Sequence, residues 1–134
     1  MSYQPGGMYE TRVEGVSAGA RYWFKIDDAG PYPDPASRYQ PLGVHGPSQV
    51  MGPGEARWAA DDFQVPSLRE LVIYELHVGT FTPAGTFLAV IDKLDGLCQL
   101  GINVIELMPV ADFAGEYNWG YDGVLPYAPA HSYG

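Results

Sequence analysis

The 134 residues hold one cysteine, three histidines and seven basic side chains against sixteen acidic ones, for a formal net charge of −9. Each scarcity excludes something. Cys98 alone closes no intrachain disulfide and builds no cysteine-based metal site. His45 and His131 stand in Gly/Pro loops with no partner at metal-ligand spacing, so metal binding has little support and no cofactor is implied. No stretch gathers the Lys and Arg that phosphate recognition needs, which argues against nucleic acid as a partner. The acidity itself is most simply a matter of solubility. No apolar run approaches a bilayer's thickness and no basic-then-apolar leader opens the chain, so a membrane role is not expected. The default setting is therefore reducing and cytoplasmic.

What is present points to turn-rich globular structure. Seventeen Gly and twelve Pro fit short strands and long loops, since Gly supplies positive φ and Pro fixes φ. Ten Tyr, three Trp and an apolar share of 46% argue against disorder. The composition changes near Phe63. Before it, Tyr22, Phe24 and Ile26 alternate with Arg21, Trp23 and Lys25, and Tyr9, Thr11 and Val13 alternate with Glu10, Arg12 and Glu14. Gly15 to Gly19 lies between these runs, where a hairpin turn is expected. From Gly30 to Gly54 the frequent Pro and Gly predict a long ordered loop or linker. Trp58, Asp61 and Asp62 close this half, the two acids most simply as a solvated inter-domain turn.

The second half predicts strand, helix, strand. Leu71 to Val78 suits a buried strand, and Ile102 to Met108 the next, stopped by Pro109. Between them Phe87, Val90, Ile91, Leu94, Leu97 and Cys98 recur at helical spacing, with Thr86 as N-cap and Gly101 just past the end. On that apolar face Cys98 reads as a buried hydrophobe. A helix crossover implies that the two strands run parallel. One such unit does not separate a barrel from an open sheet, but the long aromatic loop from Val110 to Gly134 leaves a strand's C-terminal end, where barrel enzymes build their sites.

Three blocks carry a resemblance to a known family. They are PDPASRYQPLGVHGPSQV from Pro33, YELHVGTFTPAGTF from Tyr74, and IELMPVADF from Ile105 with NWGYDGVLPYAP from Asn118 and the closing HSYG. Together they resemble the trehalohydrolase branch of the α-amylase clan of glycoside hydrolases. The resemblance implies that residues 1–62 are the C-terminal part of an N-terminal β-sandwich domain plus linker. It implies that 63–134 start a catalytic (β/α)8 TIM barrel, so the chain reads as truncated at both ends. The implied reaction is retaining cleavage of the α-1,4 bond beside the terminal trehalose of maltooligosyltrehalose or a related α-glucan. The clan's nucleophile, acid/base and third carboxylate lie on later strands, so no catalytic residue is assigned within this chain. A branching or debranching enzyme of the same clan, or a non-catalytic glucan-binding remnant, are the alternatives.

The candidate substrate-binding residues are Tyr121, Trp119, Asp122 and Asn118. Aromatic rings suit the apolar C–H faces of sugars, and the resemblance places the tyrosine of GYDG against the glucose that is cleaved. The plainer reading of Tyr121 and Trp119 is rim packing, and that of Asp122 and Asn118 is turn formation beside Gly. Glu75, His77 and Glu106 are expected as a satisfied interior network, since charges on barrel strands are costly to bury unless paired. Asp112 reads as a turn residue.

Overall fold

The computed structural model describes residues 1–52, 54 and 63–134, so Trp58, Asp61 and Asp62 lie outside the described residues. The first half forms three two-stranded antiparallel sheets. β1 (Ser2–Gln4) pairs with β2 (Met8–Glu10), across a loop in which Gly6 and Gly7 both take positive φ. β3 (Arg21–Tyr22) pairs with β6 (Ser48–Gln49), and β4 (Phe24–Ile26) with β5 (Ala29–Tyr32). The expected hairpin between 8–14 and 21–27 is therefore absent. Each run instead finds a partner across a tighter local turn or, for β3, in the distant 48–49 segment. Asp27 takes a positive φ of 51° in the two-residue turn before Ala29, a conformation Asp tolerates better than most residues.

The second half holds the parallel unit that the period change predicts. β7 (Ile73–Leu76) pairs in parallel with β8 (Val104–Leu107), with Glu75 opposite Glu106 and Leu76 opposite Leu107. Register here owes nothing to a hairpin. Asn103 fastens the start of the ladder: its side-chain oxygen accepts from Val72 N at 2.7 Å and its amide donates to Glu70 O at 2.8 Å. The strand is preceded by a capping box in which the Ser67 hydroxyl and backbone N–H both donate to Glu70, holding that carboxyl below its usual range.

The connection departs from one continuous helix. β7 ends two residues early and α1 (Val78–Phe81) follows at once, with His77 at its N-cap. The predicted helix is then split into α2 (Phe87–Ile91) and α3 (Leu94–Gln99). Its ends are as expected. The Thr86 hydroxyl accepts from Ala89 N at 3.3 Å. At the other end Gly101, at φ 89°, donates to Cys98 O while Ile102 donates to Leu97 O, the paired bonds of a Schellman motif. Thr86→Ala should cost about 1 kcal/mol, read as a shift of the denaturant midpoint without change of slope.

Only Val90 and Leu97 of the helical stripe are buried; Ile91, Leu94 and Cys98 are exposed. Cys98 is thus a surface thiol. Two strands offer a narrow floor, and Ile91 and Cys98, one position on from Val90 and Leu97, swing roughly 100° around the helix and off it.

The segment after β8 is not a structureless loop. β9 (Ala111–Phe113) and β10 (Gly123–Pro129) form an irregular antiparallel hairpin, and a 3-10 turn follows at His131–Tyr133. A Cβ on Gly123 would lie 2.7 Å from the Ala111 Cβ, so only glycine allows this close approach. Leu76, Val78, Val90, Phe113, Ala130 and Tyr133 make the main core, and Val44, Leu125 and Ala128 a second cluster that joins the 40–46 loop to β10. Asp112 is a strand residue, fully buried, not a turn residue. Its carboxylate oxygen lies 2.8 Å from His131 Nδ1 and accepts from His131 N. The His131 ring in turn lies over Gly43, where a Cβ would come within 3.2 Å.

Candidate functional site

Both parallel strands deliver their C-terminal ends to one place. From β7 the chain turns at His77 into α1, bringing Gly79 and Thr80 with it. From β8 it passes Pro109 and β9 into residues 114–122. An open cleft of about 410 Å³ lies between these segments, lined by His77, Gly79, Thr80, Glu116, Tyr117, Asn118, Trp119, Asp122 and Tyr133. A second, larger groove of about 770 Å³ runs between the first hairpins, lined among others by Tyr9, Phe24, Asp27 and Asp34.

The first cleft gathers three of the four residues the sequence singles out. Trp119 stands 83% exposed at its wall, with Asp122 exposed and Asn118 half-buried beside it. Asn118 also has local work, because its side-chain oxygen accepts from Gly120 N. Gly120 takes φ 97° there, and a Cβ would press on the Pro109 carbonyl at 3.1 Å. Tyr121 projects to solvent, 72% exposed, and does not line the cleft.

The floor holds what the sequence reading assigned elsewhere. Tyr133 is nearly buried, its ring meeting Phe87, Phe113 and His77 at centroid distances of 6.1, 6.1 and 5.9 Å. Its hydroxyl lies 3.3 Å from His77 Nε2, and burial raises its pKa. His77 was expected on the strand, sharing a face with Glu75. It stands instead beyond the strand end, bonded to Tyr133 and not to Glu75 or Glu106. Those two carboxylates face each other across the strand pair, both exposed. Tyr133 carried no sequence signal beyond its place in HSYG; its role depends on a chain reversal of 56 residues back to His77.

In the first half, Tyr22 donates to Asp34 at 2.7 Å, and its phenol is pushed up to about 12 by burial and then by that carboxylate. Among the described residues no group of three or more His, Cys, Asp or Glu is placed to hold a metal ion. Among them too, no helix is long and apolar enough to cross a membrane.

No protein-family model matches the chain. Individual proteins do. The chain is 48% identical over 128 residues to the malto-oligosyltrehalose trehalohydrolase of Saccharolobus solfataricus, covering 96% of this chain and 23% of that protein. It is 49% identical over 138 residues to the enzyme of that name from Mycobacterium tuberculosis, covering 100% of this chain and 24% of the relative. A weaker likeness, 28%, extends to a 1,4-alpha-glucan branching enzyme of Corynebacterium jeikeium. A crystal structure from Salmonella typhimurium, of a protein assigned as an alpha amylase, superposes with a TM-score of 0.85 at 52% identity, over 91% of this chain and 21% of that one. The chain thus spans about a fifth to a quarter of the length of the relatives it matches. Along nearly its whole length it is a homologue of one stretch of the malto-oligosyltrehalose trehalohydrolases, glycoside hydrolases of the α-amylase family.

Proposed function

We propose that this chain supplies one wall of the sugar cleft of an α-glucan hydrolase that releases trehalose from maltooligosyltrehalose by retaining cleavage of the adjacent α-1,4 bond. Residues 1–62 would be the rear of a β-sandwich domain with its linker, and 63–134 the opening of a (β/α)8 barrel. One observation carries the reading. The cleft opens at the C-terminal ends of two parallel strands and gathers Trp119, Asn118 and Asp122 there, the end at which barrel enzymes assemble their sites. Sugar hydroxyls would meet the polar groups and a sugar face the indole. Tyr121, two residues on from Trp119 and largely exposed, is proposed to contact the reacting glucose once the remainder of the barrel encloses the loop.

The test places residues 1–134 into the Saccharolobus solfataricus enzyme in place of its matching stretch. Tyr121→Ala in that enzyme should lower kcat/KM about two- to thirtyfold, from loss of a ring face under a cation-like transition state. Much of the loss should fall in kcat, since that contact strengthens as charge develops. Unchanged kcat and KM for both Tyr121→Ala and Trp119→Ala, with the fold intact, would return these aromatics to rim packing.

A further inference from the structure

We infer that Tyr133 and His77 form the hydroxyl-recognising floor of this cleft, so that Tyr133 Oη hydrogen-bonds a substrate hydroxyl directly; the inference rests on the sugar-cleft reading above. Three observations meet at this point. Both side chains line the cleft, and they bond to each other at 3.3 Å. Gly79 beneath them has no room for a side chain: a Cβ would stand 2.9 Å from Tyr133 Cε1 and 3.0 Å from His77 Cε1. The floor is therefore shaped by a missing side chain and held rigid by the Phe87 and Phe113 rings against Tyr133.

The hydrogen-bond inventory is left incomplete. A phenol offers one donor and two acceptor positions, and the His77 contact uses one of them. If the phenol donates to Nε2, its oxygen still accepts; if Nε2–H donates, the phenol proton is free to be given to a ligand. Burial raises the pKa of this phenol, so it stays a neutral hydroxyl at neutral pH, suited to an uncharged sugar. His77 Nδ1 is also buried, with no partner among the described residues. A site with unpaired polar positions at its floor selects a ligand that brings hydroxyls and penalises one that lacks them.

The test uses the whole 134-residue chain with histidine and tryptophan labelled by nitrogen-15, titrated with maltotriose. The Trp119 indole and the His77 imidazole signals should move together along one saturation curve. Tyr133→Phe, which keeps the packed ring, should weaken maltotriose binding about three- to tenfold, the worth of one hydrogen bond. One monodeoxy-maltose should bind worse than maltose in the original chain but not in the variant. Movement of Trp119 with His77 unmoved overturns this inference and leaves the cleft reading standing. Equal maltotriose affinity in the original chain and Tyr133→Phe does the same. If neither Trp119 nor His77 moves, the cleft reading falls and takes the inference with it. Should Tyr133→Phe not fold, the His77 response in the unaltered chain decides alone.

Discussion

Incubated with maltooligosyltrehalose, the 134-residue chain is expected to release no trehalose above a buffer control. Retaining cleavage needs two carboxyls about 5–5.5 Å apart, one of them kept protonated to serve as acid. Glu75 and Glu106 sit opposite each other in the parallel register. Position is not enough. Both are exposed, and a carboxylic acid that must hold its proton at neutral pH needs shielding from water. They also lie within the strands, away from the cleft that opens past the strand ends. The check is chromatographic detection of trehalose from the purified chain over a long incubation. Release that Glu75→Gln or Glu106→Gln abolishes would make the strand pair catalytic and overturn the assignment of the chemistry to later parts of the enzyme.

Phe113→Ala should produce the largest loss of stability of any single truncation in the second half, about 3–5 kcal/mol. Phe113 is 1% exposed and touches the Tyr133 ring at the centre of the main core. Its strand neighbour Asp112 holds the turn that carries Tyr133, through His131. Removing the ring leaves a void in a close-packed core, and β9 runs so close to β10 that a Cβ on Gly123 would already clash with Ala111. A domain's stability is of order 5–15 kcal/mol, so the variant should unfold at far lower denaturant or lose its cooperative transition. Phe113→Leu, which refills most of the space, should recover most of the midpoint. A midpoint for Phe113→Ala close to that of the original chain would mean that this cluster does not hold the second half together.

The parallel pair and its capped crossover were legible because they are written in local periodicity. Thr86 and Gly101 do what their types and places predict. The break in the crossover was not legible, since the apolar stripe continues across Asp92 and Lys93 while the hydrogen bonding tightens there, Lys93 N donating to Val90 O three residues back. Pairing in the first half failed for a different reason. Alternation tells which runs are strands but not which partner each takes, and β3 pairs Arg21 with Gln49 and Tyr22 with Ser48, using distant loop residues that look like linker. At the site, Trp119, Asn118 and Asp122 were visible because they cluster in one motif. His77, Tyr133 and the buried Asp112–His131 pair come from segments far apart in sequence, and each alone looks like an ordinary loop or strand residue. Cys98 was misjudged because helical spacing shows which residues share a face, and not how wide a surface waits to cover it.

Asn103 has a consequence for how this region can vary. Antiparallel strands inherit their alignment from the turn that joins them, so a change in that turn propagates into the pairing. Here the alignment of Ile73 with Val104 rests on the backbone ladder and on one amide side chain, Asn103, bridging to Glu70 and Val72 at its start. The turn at Asp92–Lys93, which lines no part of the cleft, is thereby released from any duty to measure distance. That turn can gain or lose residues over evolutionary time without slipping one strand past the other, while Gly79, Thr80 and Phe87 upstream of it stay fixed by the cleft they line and support.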